Sequence, residues 1–159
     1  MVNRMTSDAS ISEIMHSLRR IIKSLQDYSQ TVSNHFGITG PQLWVLKTIH
    51  QMGSLPLGEL SEEMYLHPST VSGVVNRLEK KGYVVRDRTE KDRRVVKVRL
   101  TPKGRILVRR APKPVQGKMI YGLRNLKKEK LDLICESVRN LVEIMEAQNL
   151  KVTFFFDEK

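Results

Sequence analysis

Ser69, Ser72, Gly73, Asn76, Arg77 and Lys80 fall at helical spacing on one side of the stretch 68–81, with Pro68 and Thr70 completing its first turn. The set joins small hydrogen-bonding groups to cations, a combination suited to recognition rather than to bond-making. Small residues near a helix N-terminus let the backbone approach a base-pair edge or a phosphate, and the helix's partial positive charge favours an anion there. A second set, Arg88, Lys91, Asp92, Arg93 and Arg94, follows within a segment that has no apolar side chain. Guanidinium groups held there suit phosphates and the strongly negative potential of a narrow groove.

Positioning these residues takes a helix, a support for it and a hairpin. Val71, Val74, Val75 and Leu78 repeat at i, i+3, i+4 and i+7, so they form the buried stripe of a helix whose other face is the polar set. Pro68 suits a first helical turn, and Gly82 suits the left-handed residue that ends one. Upstream, Leu57, Leu60 and Met64 share a face, and Tyr65-Leu66-His67 is a short connection, which together predict a helix-turn-helix. Downstream, Tyr83-Val84-Val85 and the alternating Val96, Val98 and Leu100 predict two strands flanking a basic tip, a wing. The predicted fold class is mainly α with a small β-hairpin wing.

Charge is sorted in the same way. Between Arg77 and Lys113 stand fifteen Lys and Arg against Glu79, Asp87, Glu90 and Asp92, a net charge of +11, while the remainder of the chain balances. A field concentrated in one segment attracts a polyanion, whereas charge spread evenly mainly favours solubility. The partner this charge implies is nucleic acid, and a helix suited to a major groove points to double-stranded DNA.

The run Asp92-Arg93-Arg94-Val95, followed by Val98-Arg99-Leu100-Thr101-Pro102-Lys103-Gly104, resembles the wing signature of the multiple antibiotic resistance regulator (MarR) family. Pro68 to Ser72 and Leu78 to Gly82 resemble that family's recognition helix, and the likeness spans about Leu43 to Gly104. The resemblance implies a dimeric winged helix-turn-helix, operator binding, most often repression, and in many members release of DNA by a small anionic or aromatic molecule. It also implies that Arg94 enters the minor groove while Asp92 holds the wing tip.

Ile11, Ile14, Leu18, Ile21, Leu25, Tyr28 and Val32 form one narrow apolar seam, and Leu131, Ile134, Val138, Leu141 and Met145 form another. Ser10 with Glu13 and Thr39 with Gln42 fit capping boxes for two helices. A small winged module cannot cover both seams, so a homodimer is expected; the alternative is a monomer whose terminal helices fold back on each other. The expected organisation is one unit: a winged helix-turn-helix over 38–104, dimerisation helices over 10–36 and 105–148, and a tail over 149–159. Ala111-Pro112-Lys113-Pro114 must kink or interrupt the helix that begins at Pro102, beyond which Val115, Met119, Leu123 and Leu126 resume a helical face. Such a kink serves as a hinge or is simply static. Val152 to Phe156 is strand-like and expected to pack against the body.

Enzyme chemistry finds no support. There is no Gly-rich phosphate loop, no Gly-x-Ser-x-Gly and no His-Glu-x-x-His, and the four histidines have no ligand at metal spacing, so no cofactor or metal is expected. Cys135, the sole cysteine, excludes an internal disulfide and is expected as a small buried hydrophobe. Family members that sense peroxide carry their reactive cysteine near the first helix, where this sequence has none. No signal-like or membrane-spanning apolar run occurs, which suits a cytoplasmic protein with no membrane partner. An effector site is expected where the first helix, the Thr39–Met52 helix and the helix after Pro102 meet. His16, Arg20, Tyr28, His35 and Trp44 are its candidates by type, and Met15, Met52 and Met119 could line it; each has an ordinary structural alternative. A winged-helix module that binds nucleic acid or protein without an effector response would keep the wing and lack that pocket.

Overall fold

A computed structural model describes residues 6–88 and 96–150. The wing-tip residues Lys91, Asp92, Arg93 and Arg94, the side chain of Arg88 and the stretch 152–156 lie outside the described residues. The chain runs α1 (Ser7–Phe36), α2 (Gly40–Met52), β1 (Leu55–Pro56), α3 (Leu57–Glu63), α4 (Pro68–Lys80), β2 (Val84–Arg88), β3 (Val96–Leu100), α5 (Pro102–Arg110), α6 (Val115–Arg124) and α7 (Lys128–Ile144). It is mainly helical, with one antiparallel sheet ordered β1-β3-β2. Val84 pairs with Leu100 and Arg88 with Val96, which sets the hairpin register.

The α4 stripe is buried as its period requires: Val71, Val74, Val75 and Leu78 are fully covered by α2, α3 and the sheet. Each such side chain stabilises the fold by about 1.5–3 kcal/mol through lost contact with water. Helix α2 lies at the centre, buried almost all round from Gly40 to Ile49. Its start carries the expected capping box, with the Thr39 side chain accepting from the Gln42 amide and Gln42 accepting from the Thr39 amide. Gly82 adopts the expected left-handed conformation, φ +74°.

Several boundaries differ from expectation. The cap of α1 is Thr6, whose hydroxyl accepts from the Ala9 amide, and Ser10 already lies inside the helix. The earlier start adds a turn and places Asp8 where the helix dipole favours an acid. The short strand β1 pairs Leu55 with Val98 and was not expected, because two residues, one of them proline, carry no periodicity. At Ala111–Pro114 the helix is interrupted, one of the two outcomes the prolines allowed, and α6 starts afresh after Pro114. Val108 and Ala111 join the core of the winged module, so α5 packs with that module. The carbonyls of Val108 and Ala111 at the break each accept from the Lys47 ammonium, at 2.6 and 2.7 Å. Burial, followed by the nearby Lys113, pushes the Lys47 pKa down. A second break at Asn125–Lys127 separates α6 from α7.

Between α3 and α4, Tyr65 takes the left-handed conformation (φ +54°) more usual for glycine. Arg124 of α6 faces this turn, forming two hydrogen bonds to the Glu63 carboxylate at 2.9 and 3.1 Å and sitting over the Tyr65 ring. The bond to Glu63, then that to Tyr65, raises the guanidinium's pKa above its usual range.

The two seams are covered unequally. On α1, Leu25 and Val32 are buried, yet Ile14 is 46% and Ile21 54% exposed. No residue of α7 is buried, and Val138 is 53% exposed. Cys135 is exposed too, contrary to expectation, because the described residues bury no part of α7. No described helix is long and apolar enough to cross a membrane.

Candidate nucleic-acid interface

Helix α4 starts at Pro68, and its cap is His67, a role the sequence alone did not reveal. The ring Nδ1 of His67 accepts from the Ser69 amide and sits 2.8 Å from the Ser69 hydroxyl, which orders the first turn. Along the outer face Pro68, Ser69, Asn76, Arg77 and Lys80 are exposed, and Thr70, Ser72 and Gly73 are half-buried. A Cβ added at Gly73 would meet nothing within 4 Å, so the protein's own packing does not require a glycine there. An approaching outside surface would gain from its small size.

Not every cation of the basic segment is available to a partner. Lys81 donates to the Gly37 carbonyl and to Gln42 Oε1, tying the end of α4 to the α1–α2 turn. Lys103 donates to the Lys81 carbonyl and lies over the Tyr83 ring. Arg99 pairs with Asp87 across the hairpin, and Arg105 donates to the Leu100 carbonyl. Arg86 binds both Glu79 and Asn76 of α4, each at 2.6 Å. The surplus facing outward is therefore smaller than the composition suggests.

Of the effector candidates, His16 and Arg20 line one surface pocket on α1, and the others stand apart from it. Trp44 is buried in the core cluster. His16 is exposed and bonded to Ser12 within its own helix, and His35 is exposed at the end of α1. Tyr28 packs beside Gly40 with its hydroxyl buried and without a hydrogen-bond partner among the described residues, and burial pushes that hydroxyl's pKa up. A cavity of about 310 Å³ lies between α1 and α6, with Arg20, Leu25, Val115, Gln116 and Met119 in its wall. Of the expected side chains only Arg20 and Met119 line it. Gln116, unmarked in the sequence, is buried, and its Oε1 has no hydrogen-bond partner among the described residues. Among the described residues no group of His, Cys, Asp and Glu is arranged to hold a metal ion.

Two helices meeting at a tight turn, the second packed against a three-stranded sheet, define a winged helix-turn-helix protein. Residues 38–96 match the model of the MarR family. Two curated relatives from Bacillus subtilis agree: the uncharacterized HTH-type transcriptional regulator YsmB, 34% identical over 62% of this chain and 67% of its own, and the HTH-type transcriptional repressor MdtR, 35% identical over 64% and 65%. The match spans about two thirds of each relative's length. A MarR family protein from Bacillus stearothermophilus superposes with a TM-score of 0.54 at 29% identity, covering 89% of this chain and 99% of that one. The chain belongs to the MarR family, whose members are DNA-binding transcriptional regulators and not enzymes.

Proposed function

We propose that the protein binds an inverted-repeat operator as a homodimer, with α4 of each copy in a major groove, and that it acts as a repressor. The single observation that carries this reading is the division of α4: one side fully buried, the other exposing Asn76, Arg77 and Lys80 beside an ordered first turn. A helix so divided presents hydrogen-bonding groups to base edges and cations to phosphates at once. Repression is supported by the relative MdtR, named a repressor. A second copy is supported by the uncovered halves of α1 and α7.

Substitutions on α4 test the reading. Asn76→Ala is expected to weaken binding to the preferred sequence selectively, by about tenfold. Lys80→Ala is expected to weaken binding to all sequences alike and to lower the salt slope by about one. Equal losses on preferred and random DNA for Asn76→Ala would remove the base-reading role.

The cavity between α1 and α6 supports an effector response. Its wall offers Arg20 to an anion and apolar side chains to a ring. Aromatic carboxylates added to the operator complex are expected to release DNA from the wild type and not from Arg20→Ala; equal release would place the effector elsewhere.

A further inference from the structure

Arg86 stands on β2 and reaches across to α4. Its Nη1 donates to Glu79 Oε2 and its Nη2 to Asn76 Oδ1, both at 2.6 Å. A guanidinium has donors only, so the atom of the Asn76 carboxamide that faces it must be the oxygen. The two ends of the planar fork are fixed by residues one helical turn apart, which also fixes the plane of the amide. Asn76 Nδ2 is consequently turned away from Arg86, on a side chain that is exposed. An unrestrained asparagine can rotate its amide to present either an acceptor or a donor; this one holds a single orientation. Glu79 matters as much as Arg86. Their side chains are 37% and 27% exposed, and the ion pair keeps Arg86 against the helix instead of leaving it to a phosphate.

We infer that Arg86 is a positioning residue that sets base preference: with Glu79 it orients the Asn76 carboxamide so that Nδ2 donates outward to an acceptor on a base edge. In the major groove guanine presents O6 and N7, adenine N7 and thymine O4, whereas cytosine presents only the N4 donor. Cytosine at the base facing Asn76 is the one rejected most strongly. The inference rests on the proposed reading of bases by α4, and its test separates the two.

Duplexes selected from a random pool by the wild type supply the preferred sequence. Affinities are then measured at one salt concentration for that sequence and for each single-base change, with unfolding temperature and sedimentation recorded for every variant. The wild type is expected to lose about tenfold when the base facing Asn76 becomes cytosine. Arg86→Lys keeps the charge and loses the fork, while Glu79→Gln removes one negative charge and loses the ion pair. Both are expected to shrink that discrimination to about twofold, although Glu79→Gln binds random DNA more tightly. Asn76→Asp, which has acceptors only, is expected to reverse the preference at the same base pair toward cytosine.

Wild-type discrimination in Arg86→Lys and Glu79→Gln would overturn the role of Arg86 while leaving base reading by Asn76 intact. If Asn76→Asp changes preference at no base pair, base reading by α4 fails and the inference fails with it.

Discussion

Replacing Gly104 with alanine is expected to destabilise the fold by about 3 kcal/mol, the upper end of the cost of forcing a methyl group into a packed interior. A Cβ at this position would lie 2.2 Å from the Tyr83 carbonyl oxygen and 3.2 Å from its carbon. Both are backbone atoms, and the oxygen already accepts from the Thr101 amide at 3.0 Å and from the Thr101 hydroxyl at 3.2 Å. Relief would require moving the start of β2 or the first turn of α5, whose Gly104 amide is itself bonded to Thr101 Oγ1. For a chain of this size the cost corresponds to a melting temperature about 10 °C lower. Gly58→Ala is the matched control. An added Cβ there meets nothing within 4 Å inside α3, so it should be neutral or stabilising by up to about 1 kcal/mol. Thermal unfolding of the two variants checks the pair, and wild-type stability in Gly104→Ala would contradict the packing described.

The second large effect concerns assembly. Ile14 and Ile21 lie on the seam that continues into buried Leu25 and Val32, yet they are exposed in one chain. Replacing both with aspartate removes apolar area and places two charges where a second copy would have to bury them. Monomers are the expected product, seen by sedimentation, with the melting of the winged core little changed because neither side chain belongs to that core. Operator affinity should fall by about a hundredfold or more, since a dimer's second half-site binds as an intramolecular event. A double variant that still sediments as a dimer would move the interface away from α1.

What the sequence revealed follows from the range of the interactions involved. The α4 stripe, the Thr39–Gln42 cap and the left-handed Gly82 are local patterns, and the sequence marks each directly. The exposure of Asn76, Arg77 and Lys80 was legible too, because burial of Val71, Val74, Val75 and Leu78 fixes the opposite face. Features set by distant pairings were hidden. The strand β1 exists through pairing with β3, and nothing in the sequence marked Arg86 as a partner of Glu79 and Asn76, which the sheet brings against it. Ser10 with Glu13 carried the stronger cap pattern, yet the helix is capped four residues earlier by Thr6, which the local pattern did not mark. Effector candidates chosen by side-chain type did not all converge, because Trp44 was needed in the core, whereas Gln116 carried no mark of its burial.

The most direct test of the central claim is a footprint of the wild-type protein on its selected duplex, with the stoichiometry of the complex measured by sedimentation. Two copies with protected half-sites about 10 base pairs apart, centre to centre, related by two-fold symmetry and lying in successive major grooves, are the predicted result. One copy protecting a single asymmetric site would contradict it.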